Sequence, residues 1–409
     1  MQLETVPEAH SREEPSTILE AAFRVLDAIA RRIVDFMPLG RGIRNVVRSK
    51  PEGLIGWEYV REIALATLEL QRERPETVSH YMTEQYQNML QAAQRQVADY
   101  TGLHAEGLPT TVEVFDQPDW IDANIPSFRF LFEPISEKYV GALGELGSDQ
   151  AASAQRFAHT LLTIQVGVIM GYLSRNVLGQ FDLSLPEPDK GGKLYVVEPN
   201  MNRVQLQMVF DPREFRQWIT LHEVTHSFEF HCNTWLKEYL SSSMQEYLRS
   251  INLRGIPRPD ILRNLRQGKV DRGDAMRVGG LISIISTPEQ REVLSRLQAI
   301  MCVLEGYSNH VMDHVGKELL RTYTTMKERF ERRRETKSAA ERLFQRLIGI
   351  DLKLQQYRLG QAFAEAVAEQ EGIAFLNQVW QGPDRMPSMD EVTHPGDWIE
   401  RMKQFRPGS

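Results

Sequence analysis

The sequence predicts a mainly α-helical protein with a small β-hairpin or sheet beside one central helix. Three observations carry that expectation. Apolar residues recur at helical spacing over most of the chain, strand-like alternation is confined to three short stretches, and a well-marked helix start follows directly on the best of these.

In chain order, Ser16 caps a first helix whose apolar positions Leu19, Phe23, Leu26, Ile29 and Ile33 repeat before Pro38 stops it. Trp57 to Arg74, Thr77 to Tyr100, Asp149 to Leu178, Gln290 to Val315 and Ala339 to Glu371 show the same spacing. The strand candidates are Thr111 to Phe115, Leu194 to Val197 and Arg203 to Phe210. The last is the best, because Val204, Leu206, Met208 and Phe210 alternate with Arg203, Gln205 and Gln207. Pro199-Asn200 then reads as the turn of a hairpin joining the last two. Residues 252–274, rich in Arg, Gly, Pro and Asp, read as a loop or short-helix excursion.

With 409 residues, 42% of them hydrophobic and 25% charged, the chain can bury a large core. The net charge of −7 argues against a nucleic-acid partner held by bulk positive charge. The run Lys327 to Lys337 carries Glu328, Glu331 and Glu335 among its basic residues, so it reads as a solvated helix face with i,i+3 and i,i+4 ion pairs. The most apolar stretch, Leu161 to Leu173, is shorter than the roughly 20 residues a bilayer requires and contains Thr163 and Gln165. It reads as a buried core helix, and no membrane partner is expected. Cys232 and Cys302 form no CxxC pair or disulfide framework, which points to a reducing cytoplasm. Residues 1–15 are polar and acidic, unlike a signal peptide, and form an extension. Residues 16–409 are expected to fold as one catalytic unit whose Pro-rich end, from Gln381, wraps the surface.

The chemistry concentrates in Thr220 to His231, TLHEVTHSFEFH, which contains H-E-x-x-H at His222, Glu223 and His226. Residues four apart on an α-helix differ by about 40° around the axis, so both imidazoles can converge on one ion. Glu223 is set to one side, where it can accept the proton of a metal-activated water. Asp211-Pro212-Arg213-Glu214 supplies an N-cap, a proline at the first helical position and an early glutamate. Phe215, Trp218 and Ile219 lead into the histidines on one face. Two histidines leave a third protein ligand to find. The favoured one is Glu305, beside the apolar stripe Leu294, Leu297, Met301 and Leu304 of a helix opened by Thr287-Pro288-Glu289-Gln290. A carboxylate on a buried face is costly unless paired or metal-bound. Glu229, His310, Asp313 and His314 stay open as alternatives. Tyr307 and His310 are candidate donors to a tetrahedral oxyanion, and Asn309 a candidate partner for a metal-bound histidine.

These residues resemble an uncharacterised zincin-like family of metallohydrolases associated with deazaflavin-coenzyme biosynthesis. The resemblance runs over most of the chain. It covers Gly171-Tyr172-Leu173-Ser174-Arg175, Leu178-Gly179-Gln180-Phe181-Asp182, Val197-Glu198-Pro199-Asn200, Trp218 through His226, Leu304-Glu305-Gly306, Val311-Met312-Asp313, Asp351-Leu352-Lys353, Gln356-Tyr357, and Gly360 with Phe363. It departs at Phe181, where the family has Tyr, and at Thr234, where a proline is expected before Trp235. It implies a zincin-like helical metallohydrolase with Zn2+ held by His222 and His226, Glu223 as base and, less directly, Glu305 as third ligand. The reading is a metallopeptidase or amidohydrolase acting on a peptide or small amide. The alternatives are an inactive zinc-binding helical scaffold or protein-binding module, and a non-peptide hydrolase using the same water.

Overall fold

The computed structural model describes residues 39–69, 80–143, 148–183, 192–250, 288–335 and 353–405. The extension at 1–15, the helix expected from Ser16 to Pro38, the excursion at 252–274 and the start of the helix expected from Ala339 lie outside the described residues.

Helices dominate. They are α1 (Leu39–Arg48), α2 (Trp57–Glu69), α3 (His80–Thr101), α4 (Gln117–Leu143), α5 (Ser148–Asn176), α6 (Glu198–Met208), α7 (Pro212–His231), α8 (Thr234–Ser250), α9 (Pro288–Leu319), α10 (Tyr323–Glu335) and α11 (Lys353–Glu371). The short α12 (Ile373–Leu376), α13 (Met389–Thr393) and α14 (Pro395–Gln404) close the chain. The strands β1 (Val112–Phe115), β2 (Gly179–Asp182) and β3 (Lys193–Val197) form one sheet in the order β1-β3-β2, with β1 parallel and β2 antiparallel to β3. The sheet places β2 at an edge, against α7.

The strand expected at Arg203 to Phe210 is not one. Residues 198–208 are helical, and Pro199 sits at the helix start, where its missing N–H costs nothing. The alternation was misleading because burial follows helical spacing: Met201 and Val204 are buried, whereas Leu206 is 66% exposed. Val209 ends α6 in the left-handed conformation at φ 53°, and the Phe210 amide reaches back to the Gln205 carbonyl at 3.1 Å. That pattern caps the helix but is strained for a β-branched residue. The hairpin partner of β3 is therefore β2.

Asp211 caps α7, accepting from the Arg213 and Glu214 amides at 3.0 and 2.9 Å. Glu214 does not close a capping box but accepts from the Thr322 amide at 2.9 Å, tying the helix start to the turn after α9. A buried ion pair fixes the other side. Glu198, the first residue of α6, accepts from Arg216 of α7 and, at 2.6 Å, from the Tyr86 hydroxyl of α3. The end of β3 is thereby anchored to the helix that carries the histidines.

Two helix crossings rest on glycine. A Cβ at Gly360 of α11 would sit 1.9 Å from the Cys302 carbonyl oxygen, and one at Gly306 of α9 would sit 2.1 Å from the Gly360 oxygen. Gly167 and Gly171 bring α5 close to α2, where a Cβ would sit 2.7 Å from Ile63 Cβ and 2.6 Å from the Ala64 oxygen respectively. By length and composition, Gln155–Asn176 is long and apolar enough to cross a membrane, and 56% of its most apolar window is buried inside this fold. The C-terminal residues do more than wrap the surface: Trp380, Trp398, Ile399 and Met402 are buried in the main core. On α10, Lys327 pairs with Glu331 and Arg332 with Glu328 at i,i+4 spacing, as a solvated face does, but Lys327 also reaches across to the buried Asp313 of α9.

Gly360→Ala should destabilise the protein by about 3 kcal/mol, since the new methyl meets backbone that cannot yield cheaply. An unchanged melting temperature would refute the close crossing. Both cysteines are free, and burial pushes Cys232 up to about 11 and Cys302 up to about 12. Iodoacetamide at neutral pH should therefore label both more slowly than free cysteine by roughly two orders of magnitude.

Candidate metal centre

The site forms where α7 and α9 pack side by side. His222 and His226 lie one turn apart on α7, with their Nε2 atoms 3.3 Å apart. Glu305 comes across from α9, with its Oε2 at 3.7 Å from His222 Nε2 and 4.0 Å from His226 Nε2. Among the described residues, these three form the group able to hold a metal ion. Tetrahedral bonds of the usual zinc length put donors about 3.3–3.6 Å apart, so the group fits such an ion with little movement. All three side chains keep some exposure, at 23%, 15% and 17% respectively, so water can reach them.

The face of α9 turned to α7 is set by helical spacing. Glu305, Ser308 and Met312 share it. Ser308 Oγ lies 3.3 Å from His226 Nδ1, and Met312 Sδ lies 3.1 Å from His222 Nδ1. The later residue of α9 meets the earlier histidine, so the two helices run antiparallel. Glu229, fully buried and one turn beyond His226, places Oε2 at 2.7 Å from His226 Nδ1.

Glu223 faces β2 rather than α9. Its Oε2 accepts from the Phe181 amide at 2.9 Å. A Cβ at Gly179 would lie 2.8 Å from Glu223 Cγ and 3.0 Å from its Oε1, so only glycine lets the strand approach the carboxylate so closely. The edge strand beside the histidine helix is thus β2, not residues 203–210.

The electrostatics favour a cation. Burial lifts the Glu223 carboxyl to about 7 and the nearby Glu305 and Glu229 add to this, while His226 and the Phe181 amide oppose it. Burial likewise lifts Glu229 to about 7 against the pull of His226. For His226, burial works against the charged ring, but Glu229, Glu305 and Glu223 outweigh it and hold the ring up at about 10. Three carboxyl groups crowd this site, and a divalent cation among them would favour their ionised forms.

The other candidates lie elsewhere. The Tyr307 hydroxyl, buried, donates to Asn377 Oδ1 at 2.7 Å, and its ring packs on Trp380. His310 Nε2 lies 2.8 Å from the Tyr100 hydroxyl, and burial pushes this ring down to about 4, with His314 adding to the shift. Neither joins the group, and helical geometry explains why: they are turned about 200° and 140° from Glu305 around α9. Asp313 binds Tyr323, Lys327 and Gln361, and exposed His314 stacks on Tyr100. Asn309 is half-buried one turn beyond Glu305, and Glu229 and Ser308, rather than Asn309, contact a histidine of the group. The roles of Gly179 and the Phe181 amide had no local signal beyond the motif around them. Glu229 had one, since it follows His226 by three residues on a helix.

A helical fold with a small sheet carries two imidazoles and a carboxylate that converge into a group able to hold a metal ion, beside a second carboxylate. The chain belongs to the zincin-like metallopeptidase family, whose model matches residues 55–399. A crystal structure described as "a putative hydrolase with a novel fold", from Chloroflexus aurantiacus, is 36% identical in sequence. It aligns with a TM-score of 0.63 over 86% of this chain and 100% of its own. Among curated proteins, none matches.

The expected metal content is about one zinc per chain. His222→Ala and His226→Ala should each remove most of it, and Glu305→Ala should weaken binding, as read by elemental analysis after dialysis. Full retention in both histidine variants would reject this site.

Proposed function

We propose that the protein is a zinc-dependent hydrolase cleaving a peptide or small amide bond, with His222, His226 and Glu305 as ligands and Glu223 as general base. The observation that carries this reading is the meeting of two imidazoles and one carboxylate, with a second, separately held carboxylate alongside. Three protein donors leave room for substrate, whereas a purely structural zinc site closes with four.

A bound Zn2+ would supply Lewis acidity, depressing the pKa of water and polarising a carbonyl. The residues of the chain do the rest. The Phe181 amide holds Glu223 by Oε2, and the missing side chain of Gly179 keeps space beside Oε1. From there Glu223 takes a proton from the attacking water and passes it to the leaving amine. The Tyr307 hydroxyl is committed to Asn377, and His310, with Nε2 at Tyr100, is turned about 140° from Glu305 around α9, so neither stands where a donor to the oxyanion would. The family and the hydrolase relative support hydrolysis at the level of class; neither match names a deazaflavin. Two free thiols support a reducing, cytoplasmic compartment.

Glu223→Gln should keep its zinc and lose hydrolysis by about 10²- to 10⁴-fold, because a carboxamide cannot accept the proton. The assay is mass-spectrometric cleavage of a peptide library with and without chelator. Turnover unchanged in the variant would remove Glu223 as base. A zinc-loaded wild type that cleaves nothing would favour the binding-scaffold reading.

A further inference from the structure

Glu229 sits on α7 three residues beyond His226 and is fully buried. Its two oxygens are used differently. Oε2 is 2.7 Å from His226 Nδ1, and Oε1 accepts from Ser308 Oγ at 3.4 Å. Ser308 Oγ is itself 3.3 Å from His226 Nδ1, so the three side chains close a triangle across the α7–α9 seam. Ser308 is one turn beyond Glu305. The triangle therefore joins a histidine of the group on one helix to the helix that delivers its carboxylate.

An imidazole that offers Nε2 to a metal keeps its proton on Nδ1, and that N–H needs an acceptor. A buried carboxylate is the strongest acceptor available, and it fixes both the tautomer and the plane of the ring. His222 is set differently, with the thioether of Met312, a weak acceptor, 3.1 Å from its Nδ1.

We infer that Glu229 and Ser308 act as a positioning brace that sets how tightly the site holds a divalent cation. Glu229 orients His226 and strengthens it as a donor. Ser308 holds the helix of Glu305 in register with that histidine. Neither residue is assigned contact with substrate. The inference rests on the zinc-hydrolase reading, and the two fail separately.

The test uses the full chain as wild type, Glu229→Gln and Ser308→Ala. Zinc affinity is measured by competition with a chromophoric chelator, and the cobalt-substituted proteins are compared by their visible absorption bands. Melting of the metal-free proteins serves as the control for folding. Glu229→Gln is expected to weaken zinc by about 10- to 100-fold and to shift the cobalt bands. Ser308→Ala is expected to weaken zinc several-fold. Unchanged affinity and bands in both variants, with the wild type holding one zinc, would overturn the brace. If Glu229→Gln does not fold, Ser308→Ala alone decides by the same two readouts. A wild type that binds no zinc would instead overturn the metal-centre reading.

Discussion

The constraint on which this structure depends is the crowding of carboxyl groups around α7, at its seam with α9 and at its contact with β2. Glu223, Glu229 and Glu305 lie within one small region with two imidazoles. Ionised carboxylates out of water are expensive unless paired, and the cost rises steeply when several share a pocket. The surrounding architecture serves to hold this arrangement. Asp211 and Glu214 fix the start of α7, Glu198 and Arg216 fix it to the end of β3, and the β2 backbone supplies an amide to Glu223.

Backbone proximity is the second requirement. Glu305 precedes Gly306, and Gly306 meets Gly360 of α11 with no room for a side chain on either. The helix that delivers the carboxylate is thus pressed from behind by a partner whose approach distance is set by two hydrogens. Gly179 likewise lets β2 come close to Glu223, since a Cβ there would lie 2.8 Å from the Glu223 Cγ. The residues of the candidate metal group are polar, while the contacts that set their spacing are made by residues with almost no side chain.

Much of this was legible in the sequence. H-E-x-x-H within a capped, amphipathic segment located His222, Glu223 and His226, and the apolar stripe of α9 pointed to Glu305. The failures have physical causes. Residues 203–210 alternate like a strand, yet Pro199 opens a helix and Leu206 faces solvent, so the alternation had no buried face behind it. Helix α4 was missed because Pro126 and Pro134 interrupt its pattern, although the helix runs through both. Tyr307 and His310 were attractive by chemistry, but the 3.6-residue repeat turns them away from Glu305. The same repeat places Ser308 and Met312 within about 60° of it, and would have found them. The pairing of Phe181 with Glu223 depends on how a sheet edge docks on a helix, which no local pattern encodes.

The donors come from two helices some 80 residues apart in sequence, and neither helix carries a complete set. Holding a metal is therefore also holding the two helices together. Any ion that binds only the docked arrangement adds its binding free energy to the fold, about 4 kcal/mol at a free concentration a thousand times its Kd. In a cell, the supply of metal would then govern how long the protein survives opening and proteolysis as well as whether it can catalyse.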